Sequence, residues 1–230
     1  MRLLLLTGLL ALAMPTQNFA AEKPGTIRGV VRYTGTVPPD KKIGTSDGST
    51  IVHNNYVVDP KTKGLQWVGI ILEDAPAQPK LKDPEPEEVV DQKDMIFTPR
   101  MIAVQHGQRV RFDNSDICNH NVRAYSTTTG NELNAFATAT QPVKKIFVAE
   151  KAPIKIGCTL HDWMTAWVFV VPHPWFAVSD AKGAFTIKNV PAGKYTLWLR
   201  HPDTGLHERR KVEVKAGELL QVDVEWTKAP

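Results

Sequence analysis

No stretch of this chain sustains a helical period. Its apolar runs are short, rich in Val, Ile, Thr, Phe and Trp, and bounded by turn residues. They include Thr26–Tyr33 (TIRGVVRY), Leu65–Leu72 (LQWVGIIL), Arg109–Phe112 (RVRF), Ile154–Gly157 (IKIG), Trp167–Val171 (WVFVV) and Tyr195–Arg200 (YTLWLR). β-Branched and aromatic side chains suit a pleated, half-buried surface, so runs of this length predict an all-β sandwich or barrel. Three stretches read as loops. Gly35–Thr50 is rich in Gly, Pro and Ser, Ala75–Glu88 carries four prolines, and Ser126–Gln141 is rich in Thr and Asn. No internal repeat is visible.

Residues 1–20 (MRLLLLTGLLALAMPTQNFA) have a positive start at Arg2, an uncharged apolar run and small residues near a cut at Ala20–Ala21. That pattern predicts a secretory leader too short for a membrane span. The protein is therefore expected to be exported, periplasmic or secreted, with no transmembrane segment. The net charge is +4, and the lysines and arginines are scattered without a basic stripe, which argues against nucleic acid. Two cysteines make one bridge at most, so an exported chain of this kind carries either a disulfide or a reactive or metal-binding thiol. No Ser-His-Asp set, glycine loop or paired-carboxylate signature stands out. Glu87–Glu88 reads as solvated, and the chain is expected not to be an enzyme.

The stretch Cys158–Met164 (CTLHDWM) places a thiol, an imidazole and a thioether within seven residues, between strand-like IKIG and WVFVV. Each has an ordinary reading alone: His161 as a surface histidine, Met164 as a core residue, Cys158 as half of a disulfide with Cys118. Together they suit a soft metal. Two imidazoles and a thiolate in a plane with a weak axial thioether make a blue-copper site. A second imidazole is available at His120, in DNSDICNHNV, directly after the strand RVRF. Cys118 lies two residues before it, and in an extended segment i and i+2 face the same side. Cys118 is then near the metal, near Cys158, or a spare semi-buried thiol. His53, His106, His173, His201 and His207 lack a ligand-like arrangement and read as surface or turn residues.

DMIFTPRMIAVQHGQRVRFDNSDICNHNV together with CTLHDWMTAWVFVV resembles the cupredoxins, and among them the amicyanins, over residues 88–171. The resemblance implies a Greek-key sandwich of eight strands, one type 1 copper ion and one-electron transfer to a transient redox partner protein. It implies His120, Cys158 and His161 as strong ligands and Met164 as the axial one, with His161 the exit for the electron. It also implies that Asn121 ties the ligand loops together and offers its N–H to the thiolate. Where the family has Pro after the Cys-Thr pair, this chain has Leu160 after Thr159, which adds an N–H near sulfur.

Residues 174–228, with the marks DAKGAFTI, VPAGKYTL and VEVKAGE, resemble the carboxypeptidase regulatory-like, transthyretin-like β-sandwich. Relatives of that module are often called carbohydrate-binding-like, so carbohydrate is a further partner class to expect. Such sandwiches open with strands like those within residues 25–80. The second, smaller sandwich is therefore expected to be split, with the copper domain inserted; a plain tandem is the alternative. Besides the electron carrier, two other functions remain open. One is copper delivery or storage, with Cys118 helping to hold Cu(I), and the other is a carbohydrate-binding-like or interaction module with a structural disulfide.

Overall fold

The computed structural model describes residues 23–45, 48, 50–84 and 86–228. The expected leader lies outside these residues. Among them there are nineteen strands and no helix, so none is long and apolar enough to cross a membrane.

Four strands come first: β1 (Gly25–Tyr33), β2 (Lys41–Gly44), β3 (Thr50–His53) and β4 (Gly69–Leu72). The middle of the chain supplies β5 (Glu88–Lys93), β6 (Ile96–Thr98), β7 (Met101–Gln105), β8 (Arg109–Asn114), β9 (His120–Tyr125), β10 (Leu133–Ala137), β11 (Val143–Ile146), β12 (Ile154–Gly157) and β13 (Thr165–Val171). The last six are β14 (Phe176–Val178), β15 (Ala184–Val190), β16 (Gly193–His201), β17 (Leu206–Val214), β18 (Leu219–Gln221) and β19 (Val224–Trp226).

Strand β1 alternates inward and outward side chains, burying Ile27, Val31 and Tyr33. It pairs antiparallel with β15 and parallel with β18 and β19. β4 lies between β14 and β16, with β17 beyond. These two sheets enclose one core that includes Ile27, Leu65, Ile70, Phe185, Leu197 and Trp226. β1 and β4 thus share sheets with strands more than a hundred residues later.

The segment between them builds its own pair of sheets, ordered β10-β9-β12-β13-β7 and β11-β8-β5-β6. It has nine strands rather than the expected eight. Its core centres on Val90, Phe97, Phe112, Phe147, Ile156 and Val168, with Cys158 and Met164 at one end.

A third apolar cluster joins the two bodies: Ile71, Met101, Phe169, Val171 and Trp198. It explains why β13 is buried at four consecutive positions, Val168–Val171. One face of β13 serves its own core and the other meets β4 and β16. Gly69 permits this contact, because a Cβ there would lie 2.6 Å from the Phe169 ring.

Several expectations need correction. The run Leu65–Leu72 is not one strand. Trp67 takes a left-handed backbone (φ 66°) and β4 begins only at Gly69. Arg100 sits over the Trp67 ring at 5.4 Å, so the residue serves a junction and not a ladder. The stretch Gly35–Thr50 holds β2 and the start of β3, which pair with each other as a hairpin. Ser126–Gln141 holds β10, recruited by pairing with β9. His173 and His201 are buried, at 1% and 0% exposure, not surface residues. Glu87 is bound by Arg109 (2.9 Å), Lys144 (3.0 Å) and Arg111 (3.2 Å) rather than left to solvent.

Candidate metal centre

Register brings the sequence-distant donors together. β9 pairs antiparallel with β12, with Gly157 opposite Arg123. Continuing that register past the end of β12 sets Thr159 beside Asn121 and Cys158 beside Val122. β12 in turn pairs with β13, Gly157 opposite Thr165. Two backbone bonds close the connection: Cys158 N–H to Met164 C=O (3.3 Å) and Met164 N–H to His161 C=O (3.0 Å). The loop carrying Cys158, His161 and Met164 is therefore pinned at both ends.

Three ring or sulfur atoms converge. His120 Nδ1 lies 3.0 Å from His161 Nδ1, while Cys158 Sγ lies 3.7 Å from His161 Nδ1 and 4.0 Å from His120 Nδ1. The point equidistant from these three corners is about 2.1 Å from each, within the usual span of metal–nitrogen and metal–thiolate bonds (~2.0–2.3 Å). Cys158 is 3% exposed and His120 fully buried, whereas His161 is half-buried. The Met164 side chain is buried in the same core cluster as Cys158.

The surroundings favour the ligating forms of Cys158 and His161, and the protonated form of His120. Burial pushes the Cys158 thiol up, but His120 and the backbone N–H groups of Asn121, Leu160 and His161 outweigh it and hold the thiol below its usual range. Burial pushes the His120 imidazole down, yet Cys158 and Asp116 raise it overall. Burial, then the charge of His120, lowers His161. A lowered thiol keeps sulfur available as thiolate, the form that binds metal.

Asn121 braces the two loops. Its Oδ1 accepts from Thr159 N–H (2.5 Å) and Thr159 Oγ1 (3.0 Å), and its Nδ2 donates to Asn134 Oδ1 (2.6 Å). Its own N–H points at Cys158 Sγ (3.5 Å). Leu160, which offers the extra N–H, is 53% exposed.

The two cysteines are not bonded to each other. They sit at opposite nitrogens of one ring: Cys158 faces His120 Nδ1, and Cys118 Sγ lies 3.4 Å from His120 Nε2. Two residues near this ring did not stand out in the sequence. Asp116 Oδ2 lies 2.9 Å from His120 Nε2, and Met95 Sδ lies 3.4 Å from Cys118 Sγ. The i, i+4 offset of Asp116 from His120 gives no strand-face signal, and Met95 arrives from the β5–β6 turn through tertiary packing alone.

No protein-family model matches the chain, and no curated protein matches it. Solved structures do. One is an oxidised amicyanin variant, 21% identical, covering 44% of this chain and 97% of that one, with a TM-score of 0.34. Another is a Cu(I) amicyanin variant, 24% identical, covering 36% and 81%, TM-score 0.33. A third is a purple cupredoxin from Nitrosopumilus maritimus, 18% identical, covering 36% and 98%, TM-score 0.31.

Proposed function

We propose that this chain is an exported copper protein that carries single electrons to and from a transient protein partner. The observation that supports it best is the triangle of His120 Nδ1, His161 Nδ1 and Cys158 Sγ, buried on the inner side and sized for one metal ion. Two imidazoles and one thiolate, with the Met164 thioether as a weak fourth donor, are a donor set for a type 1 copper. Bound there, copper supplies a one-electron couple.

The residues around it do the rest. Asn121 and the closed Cys158–Met164 loop hold the donors in one geometry, so a change of oxidation state meets little rearrangement. The N–H groups of Asn121 and Leu160 draw density from sulfur and favour the reduced state. His161 is the ligand nearest solvent, and exposed Leu160 (53%) beside it gives a partner an apolar contact. Such a contact suits a short-lived encounter rather than a permanent complex.

The test is the absorption spectrum of the Cu(II)-loaded protein. An intense visible sulfur-to-copper band that disappears in Cys158→Ser, with the fold retained, supports the reading. A colourless protein that binds no copper refutes it.

A further inference from the structure

The far side of the His120 ring carries donors that the electron-transfer site does not use. Asp116, Cys118 and His120 present ligand atoms within 4.8 Å of one another. Cys118 Sγ lies 3.4 Å from Met95 Sδ and 3.4 Å from His120 Nε2. We infer that Cys118, Met95 and His120 Nε2 form a second, outer site for a thiophilic monovalent cation, Cu(I), which holds the metal while the inner site is empty.

Four observations carry this. The first is donor chemistry: a thiol and a thioether in contact, next to an imidazole nitrogen, form a soft set that selects Cu(I) over hard divalent ions. The second is deliberate placement. Asp94 and Met95 both take left-handed backbones, at φ 55° and 62°. Asp116 accepts both of their N–H groups, at 2.7 and 3.0 Å. Backbone of this kind in non-glycine residues is strained and survives only where the surroundings enforce it. Here it sets the Met95 thioether against Cys118. Asn114 secures the other side by donating to the Cys118 carbonyl at 2.9 Å.

The third is access. Cys118 is half-buried beside a fully exposed Ile117, whereas Cys158 is 3% exposed. A metal arriving from solvent on this face meets the outer sulfurs before the inner one. The fourth is the shared ring. A neutral imidazole offers one nitrogen lone pair and carries its proton on the other nitrogen. His120 therefore ligates on one side at a time. As Nδ1 takes the metal its proton moves to Nε2, which donates a hydrogen bond to Asp116 Oδ2 at 2.9 Å, while the S–H of Cys158 breaks and Cys118 regains a proton as its Cu–S bond breaks. In the outer site the Cu–S bond to Cys118 forms as its S–H breaks, and the proton goes to solvent. Copper stays Cu(I) throughout. The ring thus couples the release of metal from the outer site to its capture by the inner one.

The outer site itself rests on the geometry around Cys118, and only the hand-over rests on the inner site's holding copper, so the first test is run with the inner thiolate removed. Anaerobic Cu(I) titration against a chromophoric chelator is carried out on Cys158→Ser. One equivalent bound, weakened at least tenfold by adding Cys118→Ser and likewise by adding Met95→Leu, supports the outer site. Met95→Leu keeps the volume of the side chain, so it reads the thioether even if loss of Cys118 perturbs the loop. In the otherwise native chain, Cys118→Ser should leave the Cu(II) spectrum intact and slow loading from a Cu(I)–chelator complex at least several-fold. Binding by Cys158→Ser that neither change weakens, or no Cu(I) binding by it at all, overturns the inference.

Discussion

Replacing Asp203 with Asn removes one charge from the most enclosed ion pair of the junction between the two sandwiches. Arg100, between β6 and β7, meets Asp203 of the β16–β17 turn at 2.7 Å, with the side chains 5% and 7% exposed. Asn keeps an acceptor for Trp167 Nε1, which now donates to Asp203 Oδ1 at 2.6 Å. What changes is the charge facing Arg100. Burial already pushes the guanidinium down, with only Asp203 opposing it. At an effective dielectric near 20 the pair is worth about 4 kcal/mol, and breaking enclosed pairs costs about 3–5 kcal/mol because the remaining charge stays buried. Arg100 retains the Asn54 carbonyl and the face of Trp67, so the lower end, about 3 kcal/mol, is expected for Asp203→Asn in guanidinium unfolding. Adding Arg100→Met removes the stranded cation and should recover at least half of that loss. The Cu(II) spectrum should not change in either variant, since neither residue touches the metal centre. A loss below about 1 kcal/mol for the single variant would mean that the pair behaves like a solvated surface bridge, and the account of the junction would be wrong.

Asn121→Ala deletes three side-chain hydrogen bonds, two to Thr159 of the other ligand loop and one to Asn134 of β10. About 2 kcal/mol of stability and a broadened Cu(II) spectrum should go with them, whereas an unchanged spectrum would mean that Asn121 is not a brace. Leu160→Pro removes an N–H that helps hold the Cys158 thiolate, and voltammetry should show a lower reduction potential; Met164→Leu should raise it while keeping the colour. His201 is held at about 4 by burial first, and by Arg100, against the opposing pull of Asp203. Its unfolded form takes up a proton below about 6.5 that the folded form refuses. Its share of stability is therefore complete above that pH and falls by up to ~1.4 kcal/mol per unit toward pH 4. Denaturation midpoints at pH 7 and 5 measure this, and His201→Gln should flatten the slope. Residues 88–171 expressed alone should fold on their own core and self-associate through the bared Met101, Phe169 and Val171 face, which sedimentation would detect.

The all-β class was legible because it depends on local facts: short β-branched and aromatic runs with turn residues between them have no other stable use. The Cys158–Met164 spacing was legible for the same reason, since a hairpin connection is local and its donors travel together. Other features were not. β2, β3 and β10 are only four or five residues long, lie in stretches rich in polar and turn residues, and exist because a partner strand completes their hydrogen bonds. The union of β1 with β15, β18 and β19 depends on which distant edge offers a matching ladder. The burial of His201 and Arg100 follows from one sandwich packing on the other. Cys118 shows the division most plainly. Sequence placed a thiol two residues from a histidine, but which nitrogen of that ring it faces, and that Met95 stands beside it, were decided when β5, β6 and β9 came together. A pleat's period of two assigns a side chain to a face, and only the packed neighbours determine what waits there.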